Sequence, residues 1–104
     1  TAQNDSMEAL AIRRLMPERG EEVFVGSTKP ITGHTLGAAG AVEAVIGILA
    51  LQGQFVPTNL HYETPDPACP VRVPAAAVEG RLRTVLSNSF GFGGLNASLV
   101  LTLP

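Results

Sequence analysis

The stretch Thr35-Leu-Gly-Ala-Ala-Gly-Ala-Val-Glu-Ala-Val-Ile-Gly-Ile-Leu-Ala-Leu-Gln52 decides the fold. Between its polar ends Glu43 is the one charge, and every other side chain is small or aliphatic. The spacing predicts a helix over about Thr35–Gln52, and a helix apolar all round is a buried one. Gly37, Gly40 and Gly47 lower its propensity but let another backbone come close. Upstream, Gly26–Gly33 reads as a loop and Val23–Val25 as a short β run. Further upstream, Asp5 or Ser6 is expected to cap a first helix, with Glu8 in its first turn. Met7, Leu10, Ala11 and Leu15 give that helix an apolar stripe, with Arg13 and Arg14 facing water or a partner, and Pro17 and Gly20 end it. Downstream, Gln54–Val56 is a short strand candidate, and Pro57, Pro65, Pro67, Pro70 and Pro74 impose extended or turning chain. Thr84–Ser89 and Ala97–Leu103 are two further strands, apolar on both faces as buried central strands are. This order of elements predicts a layered α/β half-domain.

The 104 residues fit one small domain, with a radius near ~13 Å if compact. Charged residues number 16, or 15%, against roughly 25% in ordinary soluble domains. Residues 1–29 hold nine of them and residues 63–83 hold six; residues 30–62 hold only Glu43, and residues 84–104 none. A domain this small cannot hide two such stretches internally, so much of the chain is expected to be covered by something outside it. A net charge of −2 without a basic cluster excludes an electrostatic footprint for nucleic acid. One cysteine excludes an internal disulfide framework and a Cys-rich zinc site. The apolar run Leu36–Leu51 is interrupted by Glu43 and falls short of the ~20 residues of a membrane span. No charged segment precedes an N-terminal hydrophobic stretch, so no signal peptide is expected. The chain opens on Thr1 in mid-pattern, as a cytosolic piece of a larger protein would.

Lys29-Pro-Ile-Thr-Gly-His34 sets a cation and an imidazole in a loop immediately before the apolar helix. Unpaired amide N–H groups at a helix start favour negative charge, so an anion or a developing oxyanion is stabilised there. A neutral His34 can donate one N–H to that oxygen while a neighbour holds its other nitrogen. The same residue reads equally as a packing or capping histidine. An unpaired buried carboxylate costs several kcal/mol, so Glu43 is expected to be protonated, paired or facing a polar cavity. Lys29 is the nearest cation in sequence and the economical partner; otherwise Glu43 reaches water at a helix edge.

Phe90-Gly-Phe-Gly-Gly94 joins the last two strands either as an apolar gate, with Phe92 swinging between glycines, or as a tight turn with its rings in the core. Gly33, Gly37 and Gly40 lack the Gly-Lys-Ser/Thr order of a P-loop and the Gly-x-Gly of a dinucleotide turn. Cys69 lies in a proline-rich loop with no adjacent histidine or helix start to activate it. His61 and Tyr62 read as loop residues.

Taken together, Thr1-x-x-Asn-Asp5-x-Met-Glu8, Ser27-Thr-Lys29-x-x-x-Gly-His34-Thr-Leu-Gly-Ala-Ala-Gly40, Pro65-Asp-Pro67 and Ser87-Asn-Ser-Phe-Gly-Phe-Gly-Gly94-x-Asn96-Ala resemble the C-terminal part of the β-ketoacyl-acyl carrier protein synthases. These are thiolase-fold condensing enzymes of fatty acid and polyketide synthesis. The resemblance runs from end to end in the family's order. It implies an α/β fold, the C-terminal half of a thiolase-like layered architecture with a mixed sheet and a buried central helix. Residues 1–104 would form one half-domain, incomplete without an N-terminal half.

The implied chemistry is a decarboxylative Claisen condensation. A cysteine takes an acyl group from a carrier-protein thioester, and a malonyl thioester loses carbon dioxide and attacks it. By motif, His34 resembles the second active-site histidine, Lys29 the lysine that organises the site, and Glu43 the helix glutamate paired with it. Phe92 resembles the gating phenylalanine, Gly91, Gly93 and Gly94 its flexible loop, and Phe90 and Asn96 that loop's support. Thr32 joins Phe90 and the gate among the implied substrate-binding residues. The nucleophilic cysteine belongs to the family's N-terminal half, and Thr1 matches the last threonine of the loop that carries the first histidine. No cofactor is implied, since substrates arrive on the phosphopantetheine arm of acyl carrier protein. The expected partners are the N-terminal half, acyl carrier protein and a second copy in a homodimer, in the cytoplasm, without nucleic acid or membrane. Pro30 stands where serine is common and Leu95 where threonine usually follows Gly-Gly. A non-catalytic homologue, such as a chain-length factor, is the alternative; His34 and Lys29 favour the enzyme.

Overall fold

Two antiparallel strand pairs and one long helix organise the chain, in a computed structural model that describes residues 3–20 and 22–104. The elements are α1 (Asn4–Leu15), α2 (Lys29–Thr32), a 3₁₀ turn (Leu36–Ala38), α3 (Ala39–Gly53), β1 (Phe55–Val56), β2 (Val78–Glu79), β3 (Thr84–Phe90) and β4 (Asn96–Thr102). β1 pairs with β2, and β3 pairs with β4 from Thr84↔Thr102 to Phe90↔Asn96. The radius of gyration is 13.4 Å.

α3 lies across one face of the β3–β4 hairpin. Gly47 is the point of closest approach. A Cβ there would sit 3.2 Å from both Val85 Cγ1 and Leu101 Cδ1, so the missing side chain sets the spacing between layers. Two turns earlier on the same stripe, a Cβ on Gly40 would meet Ser89 Oγ at 3.3 Å. α3 ends where Gln54 takes a left-handed φ of 54°. The Gln54 amide then donates to Leu51 O at 2.6 Å and Leu82 O at 2.9 Å and accepts from Leu82 N–H at 3.0 Å. That side chain ties the helix end to the segment entering β3.

The α/β layering agrees with the sequence, and several details differ. α1 starts at Asn4 rather than after Asp5 or Ser6: Asp5 lies in the first turn, and the Ser6 hydroxyl donates to Gln3 O at 3.1 Å. The Gly26–Gly33 segment contains the single turn α2. Val23–Val25 is reduced to one parallel bridge, Phe24↔Arg72, where the Arg72 guanidinium stacks 4.0 Å over the Phe24 ring. β2 carries no strong sequence signal and was not expected. In place of a mixed sheet the described residues form two antiparallel pairs.

α3 is not buried all round. Gly47, Ala50 and Leu51 are covered, but Val45, Ile48 and Leu49 are about half exposed. Nor are β3 and β4 covered on both faces, since Leu86 and Val100 point outward. The reason is layer count: one hairpin can cover one face of one helix, and the described residues supply no third layer. The buried apolar core among the described residues is Ala9, Ala50 and Leu51. The helical stretch Leu36–Gly53 has 18 residues and mean hydropathy 1.6, long and apolar enough by those measures to cross a membrane.

Candidate active site

Gly33 makes the junction between α2 and α3. Its φ of 77° and ψ of 170° suit glycine alone, and its N–H closes α2 on Lys29 O at 2.7 Å. The chain therefore breaks after Thr32, and α2 and α3 meet only through side chains across that break. Lys29, the first residue of α2, thereby reaches Glu43 and forms an ion pair through Nζ and Oε1. Glu43 is largely covered and Lys29 more open. This is the pairing expected for the one charge on an apolar helix, since an ammonium at hydrogen-bond distance offsets the carboxylate's lost hydration.

His34 follows Gly33 and is exposed. Its Nδ1 accepts the Leu36 N–H at 3.2 Å. A nitrogen that accepts carries no proton, so the neutral ring holds its hydrogen on Nε2, free to donate. The contact depends on Leu36 adopting a φ of 50°, a left-handed conformation that costs a residue with a Cβ about 1–2 kcal/mol. Leu36 is also 77% exposed, so burial of its side chain offsets none of that strain.

Thr32 directs its hydroxyl to the backbone carbonyls of Thr28 at 3.2 Å and Gly33 at 3.1 Å. The loop leading into α2 is held from outside: Ser27 N–H donates to Asn59 Oδ1 at 2.8 Å, and Lys29 N–H donates to Ser27 Oγ at 3.2 Å.

The β3–β4 tip presents the other expected residues. Phe92 is fully exposed, Leu95 is 78% exposed and Phe90 about half. Gly91 N–H donates to Leu95 O at 2.7 Å, closing the loop, while Gly93 and Gly94 take φ of 84° and 82°. Among the described residues neither ring is enclosed in a core. Below the tip, a cavity of about 300 Å³ opens between Gly40 of α3 and Ser87, Ser89, Ala97, Ser98 and Leu99 of the hairpin.

The structure brings Lys29 and Glu43 together. Among the described residues, His34 and the tip residues Phe90, Gly91, Phe92, Gly93 and Gly94 make no hydrogen bond to that pair. Asn59 and the backbone of Leu36 escaped sequence reasoning. One acts across 32 positions, and the other depends on a dihedral that leucine rarely adopts.

Cys69 is half-buried beside Asp66, and its thiol is pushed up by lost hydration, then by the negative charges of Asp66 and Asp5 and a hydrogen bond to Asp66. That environment holds the sulfur as a thiol, the opposite of what a nucleophile needs. Among the described residues no group of His, Cys, Asp and Glu side chains could hold a metal ion. Thr1, matched by motif to the first histidine's loop, lies outside the described residues.

Residues 1–63 match the family model described as β-ketoacyl synthase, C-terminal domain. The chain is 46% identical over 99 residues to the 3-oxoacyl-[acyl-carrier-protein] synthase 2 of Coxiella burnetii, covering 94% of this chain and 24% of that protein. It is 42% identical over 105 residues to the tetracenomycin polyketide synthase ketoacyl synthase alpha subunit of Streptomyces glaucescens, covering 100% of this chain and 25% of that protein. Among solved structures it is similar to a type II polyketide synthase ketosynthase in complex with its acyl-carrier protein, with TM-score 0.92 and 36% identity over 98% of this chain and 25% of that one. The ishigamide ketosynthase/chain length factor gives TM-score 0.87 and 36% identity over 95% and 24%. The chain spans about a quarter of the length of the curated relatives it matches. From the family model and the identity along its whole length, the chain belongs to the β-ketoacyl synthase family and corresponds to the C-terminal part of its members.

Proposed function

We propose that this chain supplies the decarboxylation half of an active site that condenses an acyl thioester with a malonyl thioester carried on acyl carrier protein. The observation that carries this is His34 accepting at Nδ1, and so holding a donor at Nε2, one loop away from the Lys29–Glu43 pair. When the malonyl C–C bond breaks, carbon dioxide leaves and the electron pair moves onto the thioester carbonyl oxygen. The His34 Nε2–H stabilises that enolate oxygen as its charge develops. The ammonium of Lys29 adds positive potential, and Glu43 holds that ammonium in place without taking part in bond-making. The enolate carbon then attacks the acyl carbonyl on the enzyme's cysteine, and the thiolate departs.

Phe92 and the glycines around it act as the apolar gate over the acyl channel; Phe90 and Thr32 shape its approach. The site needs no cofactor, because the pantetheine arm of the carrier protein delivers both substrates. The nucleophilic cysteine and the first histidine come from an N-terminal half that completes the domain.

Exposed surface supports that last point. The chain exposes 7692 Å², against roughly 5,500 Å² for a folded monomer of 10.8 kDa. The difference is of the size that permanent, hydrophobic interfaces bury. Much of it is apolar: Val45, Ile48 and Leu49 on α3, and Leu86, Phe90 and Val100 on the hairpin. The ion pair on α3 and its seat on the hairpin support a protein cover for this helix, not lipid. A homodimeric, cytoplasmic parent fits the family resemblance.

The experiment is condensation by the full-length protein, given a labelled acyl thioester and malonyl-acyl carrier protein. The expected result is a 3-oxoacyl thioester two carbons longer, with one carbon dioxide released per product. Carrier-protein binding without either product would favour the non-catalytic homologue, and His34, Lys29 and Glu43 together speak against that outcome.

A further inference from the structure

We infer that Asn59 is a positioning residue for this site, acting on Lys29 through Ser27; the inference rests on the functional reading above. Among the described residues, two long-range hydrogen bonds tie the 26–36 segment to the rest of the chain. One is the Lys29–Glu43 pair itself. The other is Ser27 N–H to Asn59 Oδ1 at 2.8 Å. The first holds only the end of a flexible side chain, so the second, together with the Val25 N–H to Arg72 O bond at 2.9 Å two residues upstream, locates the backbone from which Lys29 projects.

Asn59 is well placed for that task because its own backbone is held on both sides. Its N–H donates to Pro74 O at 2.8 Å, and its carbonyl accepts from Tyr62 N–H at 3.2 Å. Its side chain also packs on the backbone at Gly26, where an added Cβ would lie 3.5 Å from Asn59 Oδ1. From Ser27 the linkage continues inward: Ser27 Oγ accepts the Lys29 N–H at 3.2 Å and so fixes the start of α2. The path from a loop 30 residues downstream to the ammonium is therefore Asn59, Ser27, Lys29, Glu43. Asn59 touches no reacting atom; it sets where the ammonium stands.

The test uses the full-length protein as wild type, Asn59→Leu, Asn59→Asp, Lys29→Ala and the double variant Asn59→Leu/Lys29→Ala. Malonyl decarboxylation and acylation of the nucleophile are measured separately, and hydrogen exchange is read at the Ser27 amide. Asn59→Leu fills similar space without an acceptor. It should lose on the order of 10²-fold in decarboxylation, the size of effect expected of a small misplacement, with acylation near wild type. Asn59→Asp keeps an acceptor and should recover most of that loss. In the Lys29→Ala background Asn59→Leu should cost nothing more, because both changes act on one group. Equal loss in both half-reactions, no recovery with aspartate, or additive losses would each overturn the inference. Ser27 exchange should rise in Asn59→Leu and not in Asn59→Asp; if it stays unchanged, the inference fails whether or not the protein decarboxylates. Absence of decarboxylation in the wild type alone would instead overturn the functional reading.

Discussion

Lys29 and Glu43 meet across the break at Gly33, and Glu43, the more covered of the two, depends on the pair more than Lys29 does. Removing the ammonium leaves a largely covered carboxylate on an apolar helix. We expect Lys29→Met to cost the full-length protein about 1–3 kcal/mol in urea unfolding, below the range for fully buried pairs because Lys29 is partly solvated. The companion Lys29→Met/Glu43→Gln should regain part of that loss, and no recovery would argue that the pair is not coupled. Cys69 gives a second residue-scale prediction. Its thiol is raised by lost hydration and by Asp66 and Asp5. The folded state therefore favours the protonated sulfur, a contribution present below the ordinary thiol pKa and lost as pH rises through the raised value. Alkylation by iodoacetamide should begin at higher pH in the folded protein than in urea, and the reverse order would contradict the assignment. At this scale the ion pair was legible, since one charge on an apolar helix demands a partner. The tautomer of His34 was legible only as a possibility. The bond that selects it depends on Leu36 at φ 50°, which no propensity foretells.

Among the described residues α3 and the β3–β4 hairpin form the one packed pair of layers, and Gly47 sets their separation. Gly47→Leu would drive a side chain into Val85 and Leu101, and we expect a loss of about 1–3 kcal/mol from overpacking. Gly37 faces open space without a left-handed φ, so Gly37→Ala should be neutral or gain up to about 1 kcal/mol. Thermal melts of the two variants in the full-length protein distinguish these effects; similar shifts for both would mean that interlayer contact is not the cause. The long helix and the final hairpin were legible because an uninterrupted apolar period and two β-branched runs around a glycine cluster leave few alternatives. β2 and the α2 turn were not. Both are short and rest on partners distant in sequence: β2 on the backbone of β1, and the entry to α2 on the Asn59 side chain.

As a whole the chain is rich in apolar surface and poor in core. No large side chain among the described residues is completely enclosed, and the exposed faces of α3 and the hairpin are those the sequence marks as interior. The charge-free stretches mark these faces as ones to be covered, and nothing among the described residues covers them. The polypeptide on its own should therefore aggregate, or bind hydrophobic dyes with weak near-ultraviolet dichroism. A sharply folded monomer by size exclusion and dichroism would contradict the proposal that another half completes the domain. On the proposed function, that half's cysteine takes the acyl group and this chain promotes decarboxylation. The most direct measurement is carbon dioxide release from the malonyl thioester beside acyl loading, in full-length protein carrying His34→Ala. We predict a loss of release on the order of 10²–10³-fold with loading near wild type; undiminished release, or loss of both together, would contradict the role of His34.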